Sequence, residues 1–132
     1  MRTCLERWVG KDAAARARFE GNDAIAVYAE FFKKESVVRA TCDDYRGGGQ
    51  EDIEEQLSDQ KAGRKIDGDV LSVYSAEYLG KRYDLKKVWS EWVSGKGSLE
   101  VLGISGGVCH FVAEEAPEET ASAIVSFYNK HL

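Results

Sequence analysis

Gly106-Gly107-Val108-Cys109-His110-Phe111-Val112-Ala113-Glu114-Glu115-Ala116-Pro117-Glu118-Glu119-Thr120 is the stretch against which the rest of the chain is read. Just before it, Leu99–Ile104 is apolar with one internal glycine, the composition of a short buried strand. Just after it, Ala121, Ile124, Val125, Tyr128 and Leu132 recur at helical spacing, which predicts a terminal helix with that face turned inward. Pro117 suits the first turn of such a helix, and Glu118 and Glu119 suit its positive end. His110 is thereby expected in a glycine-softened loop between the carboxyl end of a strand and a helix. In open α/β sheets that is where chemistry collects. On position alone a lone histidine is more often structural than catalytic. Cys109 beside it offers a second nucleophile candidate, although neighbouring loop residues seldom point the same way.

The wider composition narrows the class. The 132 residues suffice for one domain, and 43% hydrophobic with 31% charged residues marks a globular chain rather than a disordered one. Net charge is −5, and no basic stretch is interleaved with aromatic residues, so nucleic acid is not an expected partner. No apolar run approaches the length of a membrane span and no signal peptide opens the chain, which predicts a cytoplasmic protein without membrane attachment. Cys4, Cys42 and Cys109 are odd in number, far apart and without metal-ligand spacing. They read as reduced thiols, and neither a metal nor a cofactor is expected.

Working back to the start, the first half reads as all helix. Thr3 with Glu6 matches a capping box for a short helix carrying Trp8 and ended by Gly10. Residues 12–19 read as a weak helix. Asn22 or Asp23 is then placed to cap a segment in which Ile25, Tyr28, Ala29 and Phe32 form a stripe. Ser36 offers a cap for a helix over 37–45, Gly47-Gly48-Gly49 predicts a break, and 52–62 reads as a polar helix turning Ile53 and Leu57 inward. The second half changes character at Gly63. Residues 67–69 form a turn, 70–74 a β-branched strand, and Leu85, Val88, Trp89, Trp92 and Val93 a helical face ended by Gly95. With Leu99–Ile104 and the terminal helix this is β-α-β-α, an α/β arrangement whose two strands run parallel. Two parallel strands make a poor sheet, because both faces and both edges need cover. The expectation is therefore the last part of a larger α/β fold.

Several segments carry a family likeness: Cys42-Asp43-Asp44-Tyr45-Arg46-Gly47, Ala62-Gly63-Arg64-Lys65-Ile66, Gly80-Lys81-Arg82-Tyr83-Asp84 with Val88-Trp89, and His110-Phe111 with residues 114–120. In order and spacing they resemble the C-terminal portion of α/β-hydrolases of the fluoroacetate dehalogenase and epoxide hydrolase group. The resemblance implies that residues 1–62 are the later part of a helical cap and residues 63–132 the C-terminal β-α-β-α part of the hydrolase core. In that group an aspartate attacks an electrophilic carbon, displacing halide or opening an epoxide, and a histidine activates the water that hydrolyses the ester. His110 matches that histidine, Tyr45 the cap tyrosine that stabilises the halide or epoxide oxygen, and Trp8 a cap tryptophan lining the pocket. The Gly-x-Asp-x-Gly elbow of the nucleophile and the His-Gly-x-Pro loop do not occur in this sequence. In the dehalogenase branch the acid that orients the histidine lies in the missing half. In the epoxide hydrolase branch it follows the strand at 70–74, where Glu77 falls one residue short and Tyr78 stands in its place. Cys109 replaces the usual glycine, and Val112-Ala113 replace Leu-Pro.

The resemblance thus implies a chain inactive alone that serves a small-molecule haloacid or epoxide enzyme. A shortened, non-catalytic protein that binds or dimerises through its open sheet edge, giving a homo-oligomer, is the alternative. An independent enzyme using Cys109 and His110 is the third.

Overall fold

In the computed structural model, the described residues are 1–132, the side chain of Asn22 excepted. Helices α1 (Arg2–Trp8), α2 (Ala13–Glu20) and α3 (Ala24–Phe31) come first, with a 3₁₀ turn at Gly21–Asp23 between the last two. Helices α4 (Glu35–Gly49) and α5 (Glu51–Ala62) follow, then β1 (Val70–Ser75), α6 (Leu85–Ser90), β2 (Leu99–Ile104), α7 (Val112–Glu115) and α8 (Pro117–His131). The β-branched run 70–74 and the apolar run 99–104 become parallel neighbours, in register from Val70 opposite Leu99 to Ser75 opposite Ile104. The crossover through α6 fits the general rule that parallel strands need a long connection. A single parallel bridge, Ile66 to Val93, extends the pairing backwards.

Two apolar clusters hold these pieces together. Leu5, Val9, Phe19 and Ile25 are buried with Tyr28 and Phe111 packed on them, so α1–α3 share a core with the loop after β2. Phe19 is the keystone, its ring 4.6 Å from Phe111 and 6.4 Å from Tyr28. The second cluster joins Ala15, Ile104, Val108 and Ala116, with Val73 and Val112 against it, at the carboxyl ends of the strands. The histidine loop therefore lies between two cores.

Local rules gave way at several points. The Thr3 capping box does not form: Met1 takes the cap position without a side-chain bond, which puts Thr3 inside the first turn. That helix ends on extended Val9, one residue before Gly10. The side chain that caps is Asp12, accepting from the N–H groups of Ala14 and Ala15. Asp23 stands at the cap of α3 with φ 57° but bonds nothing there, and the Asn22 side chain lies outside the described residues. Ser36 falls one residue inside α4 and is not its cap.

Larger differences concern helix length and facing. The three glycines do not break α4, which runs through Gly49 and turns only at Gln50, because none of them adopts a positive φ. Ile53 and Leu57 are 49% and 65% exposed, so α5 turns no core face inward; it packs on α4 instead. Helix α6 stops at Ser90, and Val93 is drawn into the bridge with Ile66. In α8 the half-buried residues are Thr120, Ala123 and Phe127, while the expected inward face of Ile124, Val125, Tyr128 and Leu132 is exposed. Residues 112–115 close into the short helix α7 before Pro117 starts α8.

Candidate functional site

The site is built from the turn that follows β2. Gly106 and Gly107 take φ of 89° and 74°, and a Cβ on Gly107 would lie 2.3 Å from that of Asp12. Both counts reserve the position for glycine. Glu77, on the turn after β1, caps this bend: its carboxylate accepts from the N–H groups of Gly106 at 3.3 Å and Gly107 at 2.9 Å. Ser75, fully buried at the end of β1, donates its hydroxyl to the carbonyl of Val108 at 2.5 Å and accepts from the N–H of Tyr78 at 3.1 Å. The loop is thus fastened to the strand ends before the chain reaches His110.

His110 itself is exposed, its N–H donating to the carbonyl of Trp8 at 3.2 Å. Its ring is 5.3 Å from that of Trp8, 5.3 Å from Phe111 and 5.9 Å from Tyr78, the latter two meeting it edge-on. The Arg82 guanidinium lies 4.3 Å over the Tyr78 ring, a contact that steadies that ring. The imidazole is thus walled by three aromatic groups and open to solvent on its remaining side. The described side chains give it no carboxylate hydrogen bond.

Beneath the loop sits Glu115, without exposed surface. Its carboxylate accepts three backbone N–H bonds, from Gly10 at 2.8 Å, Cys109 at 3.0 Å and Phe111 at 2.9 Å. Nothing in the sequence distinguished it from its acidic neighbours, since its partners lie in the loop and 105 positions away. Next to it, Glu114 accepts from the Tyr28 hydroxyl at 2.6 Å, tying α3 to α7. That hydrogen bond, with burial and the charge of Glu114, raises the Tyr28 pKa. The Cys109 thiol is also pushed up, by burial first and then by the charge of Glu115.

Of the residues singled out from the sequence, His110 and Trp8 are brought together. Tyr45 is 69% exposed near the end of α4, and no described hydrogen bond or ring contact joins it to His110. Glu77 spends its carboxylate on the glycine turn rather than on the imidazole. Among the described residues no group of three or more His, Cys, Asp or Glu is placed to hold a metal ion. No helix is long and apolar enough to cross a membrane.

No family model matches the chain. A crystal structure of a proposed alpha/beta hydrolase from Nostoc sp PCC 7120 is similar over 97% of it, with 36% identity and a TM-score of 0.75. The chain spans 40% of that protein's length. Its helices and two parallel strands match the C-terminal part of an α/β-hydrolase fold.

Proposed function

We propose that the chain supplies the water-activating half of a hydrolase acting on small haloacids or epoxides, with His110 as general base. In this reading residues 1–62 belong to the cap and residues 63–132 to the end of the core. An aspartate on another length of polypeptide attacks the substrate carbon, and halide leaves or the epoxide opens. His110 then takes a proton from the water that attacks the ester carbonyl; the bond from the acyl carbon to the ester oxygen breaks, that oxygen takes the proton back from His110, and the hydroxylated product leaves the aspartate free. Trp8 walls the pocket, and Tyr45 is assigned to hydrogen-bond the leaving group through its hydroxyl.

The observation that carries this reading is the exposed imidazole at the carboxyl end of β2, ringed by Trp8, Tyr78 and Phe111. A second observation favours the haloacid branch. The epoxide hydrolase branch needs a carboxylate after β1; Glu77 is committed to Gly106 and Gly107, and Tyr78 presents only a ring edge to His110. The orienting acid then comes, as in dehalogenases of this group, from the half that also holds the nucleophile.

The test is split-protein complementation. The chain is co-expressed with the part of the Nostoc protein that it does not cover, and fluoroacetate, longer haloacids and simple epoxides are offered. Halide release that needs both pieces and disappears in His110→Ala is the expected result. Turnover by the 132-residue chain alone, abolished by the same substitution, would overturn the missing-nucleophile reading. The exposed α8 face favours a second reading, a non-catalytic module that dimerises; a stable dimer with no complementation would select it.

A further inference from the structure

We propose that Glu115 is the positioning residue of His110, holding the backbone on both sides of the imidazole and locking it to the segment that carries Trp8. The inference rests on the reading of His110 as the base. Cys109 and Phe111, which bracket His110, both donate their N–H to this one carboxylate, at 3.0 and 2.9 Å. The same group accepts from Gly10 at 2.8 Å, two residues beyond Trp8, whose carbonyl receives the His110 N–H at 3.2 Å. Four hydrogen bonds therefore close a ring through residues 8–10 and 109–115 with the imidazole on its rim.

A carboxylate without exposed surface is an expensive filler, and its retention calls for compensating bonds. Here no ion pair reaches it among the described residues, so three N–H dipoles neutralise it. Charge-assisted bonds of this kind are stronger than neutral ones. The backbone is shaped to fit: a Cβ on Gly10 would lie 2.5 Å from Glu115 Oε2 and 2.0 Å from the carbonyl oxygen of Gly107. Arg18 adds a bond from its Nε to the Glu115 carbonyl at 2.5 Å, fixing the helix that bears the carboxylate to α2. These ties fix the backbone that carries the imidazole beside Trp8.

The test reads position, not turnover. In a chain whose only indole is Trp8 (Trp89→Phe, Trp92→Phe), the imidazole 5.3 Å from it quenches its fluorescence, and the rise in emission on His110→Asn is the quenching step. Glu115→Gln keeps one acceptor oxygen, so the step should shrink by about half or more, and exchange of whichever of the Cys109 and Phe111 amides loses its acceptor should speed about tenfold, as for a lost hydrogen bond. Glu115→Asp, which keeps the charge, should restore part of both. Gly10→Ala should loosen the loop with Glu115 still present. An unchanged step and unchanged exchange in folded Glu115→Gln would overturn the proposal. If the variants do not fold, the unmodified chain still decides: rapid exchange at Cys109 and Phe111 would overturn it, and slow exchange of both together with Gly10 would support it. Complementation failing while the quenching step persists would count against His110 as base, not against the clamp.

Discussion

At the residue scale, Cys109 and His110 sit side by side with opposite chemical prospects. The thiol is partly buried beside the Glu115 charge, and the cations of Arg82 and Lys11 offset only part of the resulting rise in its pKa. The thiolate is the reactive form, so a nucleophile at Cys109 is disfavoured near neutrality. Iodoacetamide at neutral pH should therefore label exposed Cys4 and Cys42 roughly five to ten times faster than Cys109, as expected from thiolate character and access together. Peptide mass spectrometry against time would check this, and the gap should narrow as pH rises. Faster labelling of Cys109 would revive the cysteine enzyme. What the sequence displayed at this scale was the imidazole's place, because glycines before it and Pro117 after it mark a loop between elements. Glu115 was invisible: one glutamate in an acidic run reads as solvated, and the N–H groups that hold it are supplied by folding.

At the element scale, period and composition located both strands, because Val70, Val73, Leu99 and Val101 favour extended chain in short runs bounded by turns. Helix ends were less legible. Gly47-Gly48-Gly49 reads as a break, yet ordinary helical angles cost glycine only entropy, and the pairing of α4 with α5 offsets it. That gives a direct prediction. A Cβ on Gly47 meets nothing within 4 Å, so Gly47→Ala should stabilise α4 by about 0.5–1 kcal/mol, seen as a higher thermal midpoint of the 222 nm ellipticity. A fall would mean that the glycine is needed for an unhelical conformation. The far end of α8 offers another. Asp69 is held below its ordinary pKa chiefly by hydrogen bonds from Ser98, and Glu100 chiefly by Lys130, while His131 lies 3.2 Å from the first and 3.4 Å from the second. Depressed carboxylates contribute stability that is complete above their unfolded pKa and lost as pH falls through the folded one. The last turn of α8 should therefore loosen below the usual carboxylate range, first at Lys130 and His131. Amide exchange at those residues between about pH 6 and pH 3 should show it, in a window set by the model carboxylate values. Asp69→Asn should weaken the pH dependence, and an unaltered profile would remove Asp69 from the account.

At the scale of the whole molecule, apolar surface is distributed as in part of a larger body. Buried side chains concentrate where α1–α3 meet the loop after β2, whereas Leu102 on β2, Val88 on α6 and Ile124, Val125 and Tyr128 on α8 remain open to water. The sheet has two strands, and a parallel pair is normally covered on both faces and flanked by further members. The two-stranded sheet could be read from the sequence, since a β-α-β-α pattern has no third strand to offer. The facing of α8 could not, because Ala121, Ile124, Val125 and Tyr128 form as regular a stripe as Thr120, Ala123 and Phe127. Only the neighbours present in space decide which is covered. The consequence is thermal. A fully cooperative domain of this length would absorb about 90 kcal/mol on unfolding near 60 °C. With its tertiary packing confined to the two cores, the isolated chain should absorb about half of that or less, over a broad transition, and bind a hydrophobic dye beforehand, the behaviour of loosely packed states. Adding the complementing segment should sharpen the transition and suppress the dye signal, because the same surfaces become interior. Calorimetry of the chain with and without that segment decides the matter: a sharp, full-sized transition from a monomer alone would show that two strands and these helices already satisfy one another, leaving nothing for a second length of polypeptide to cover.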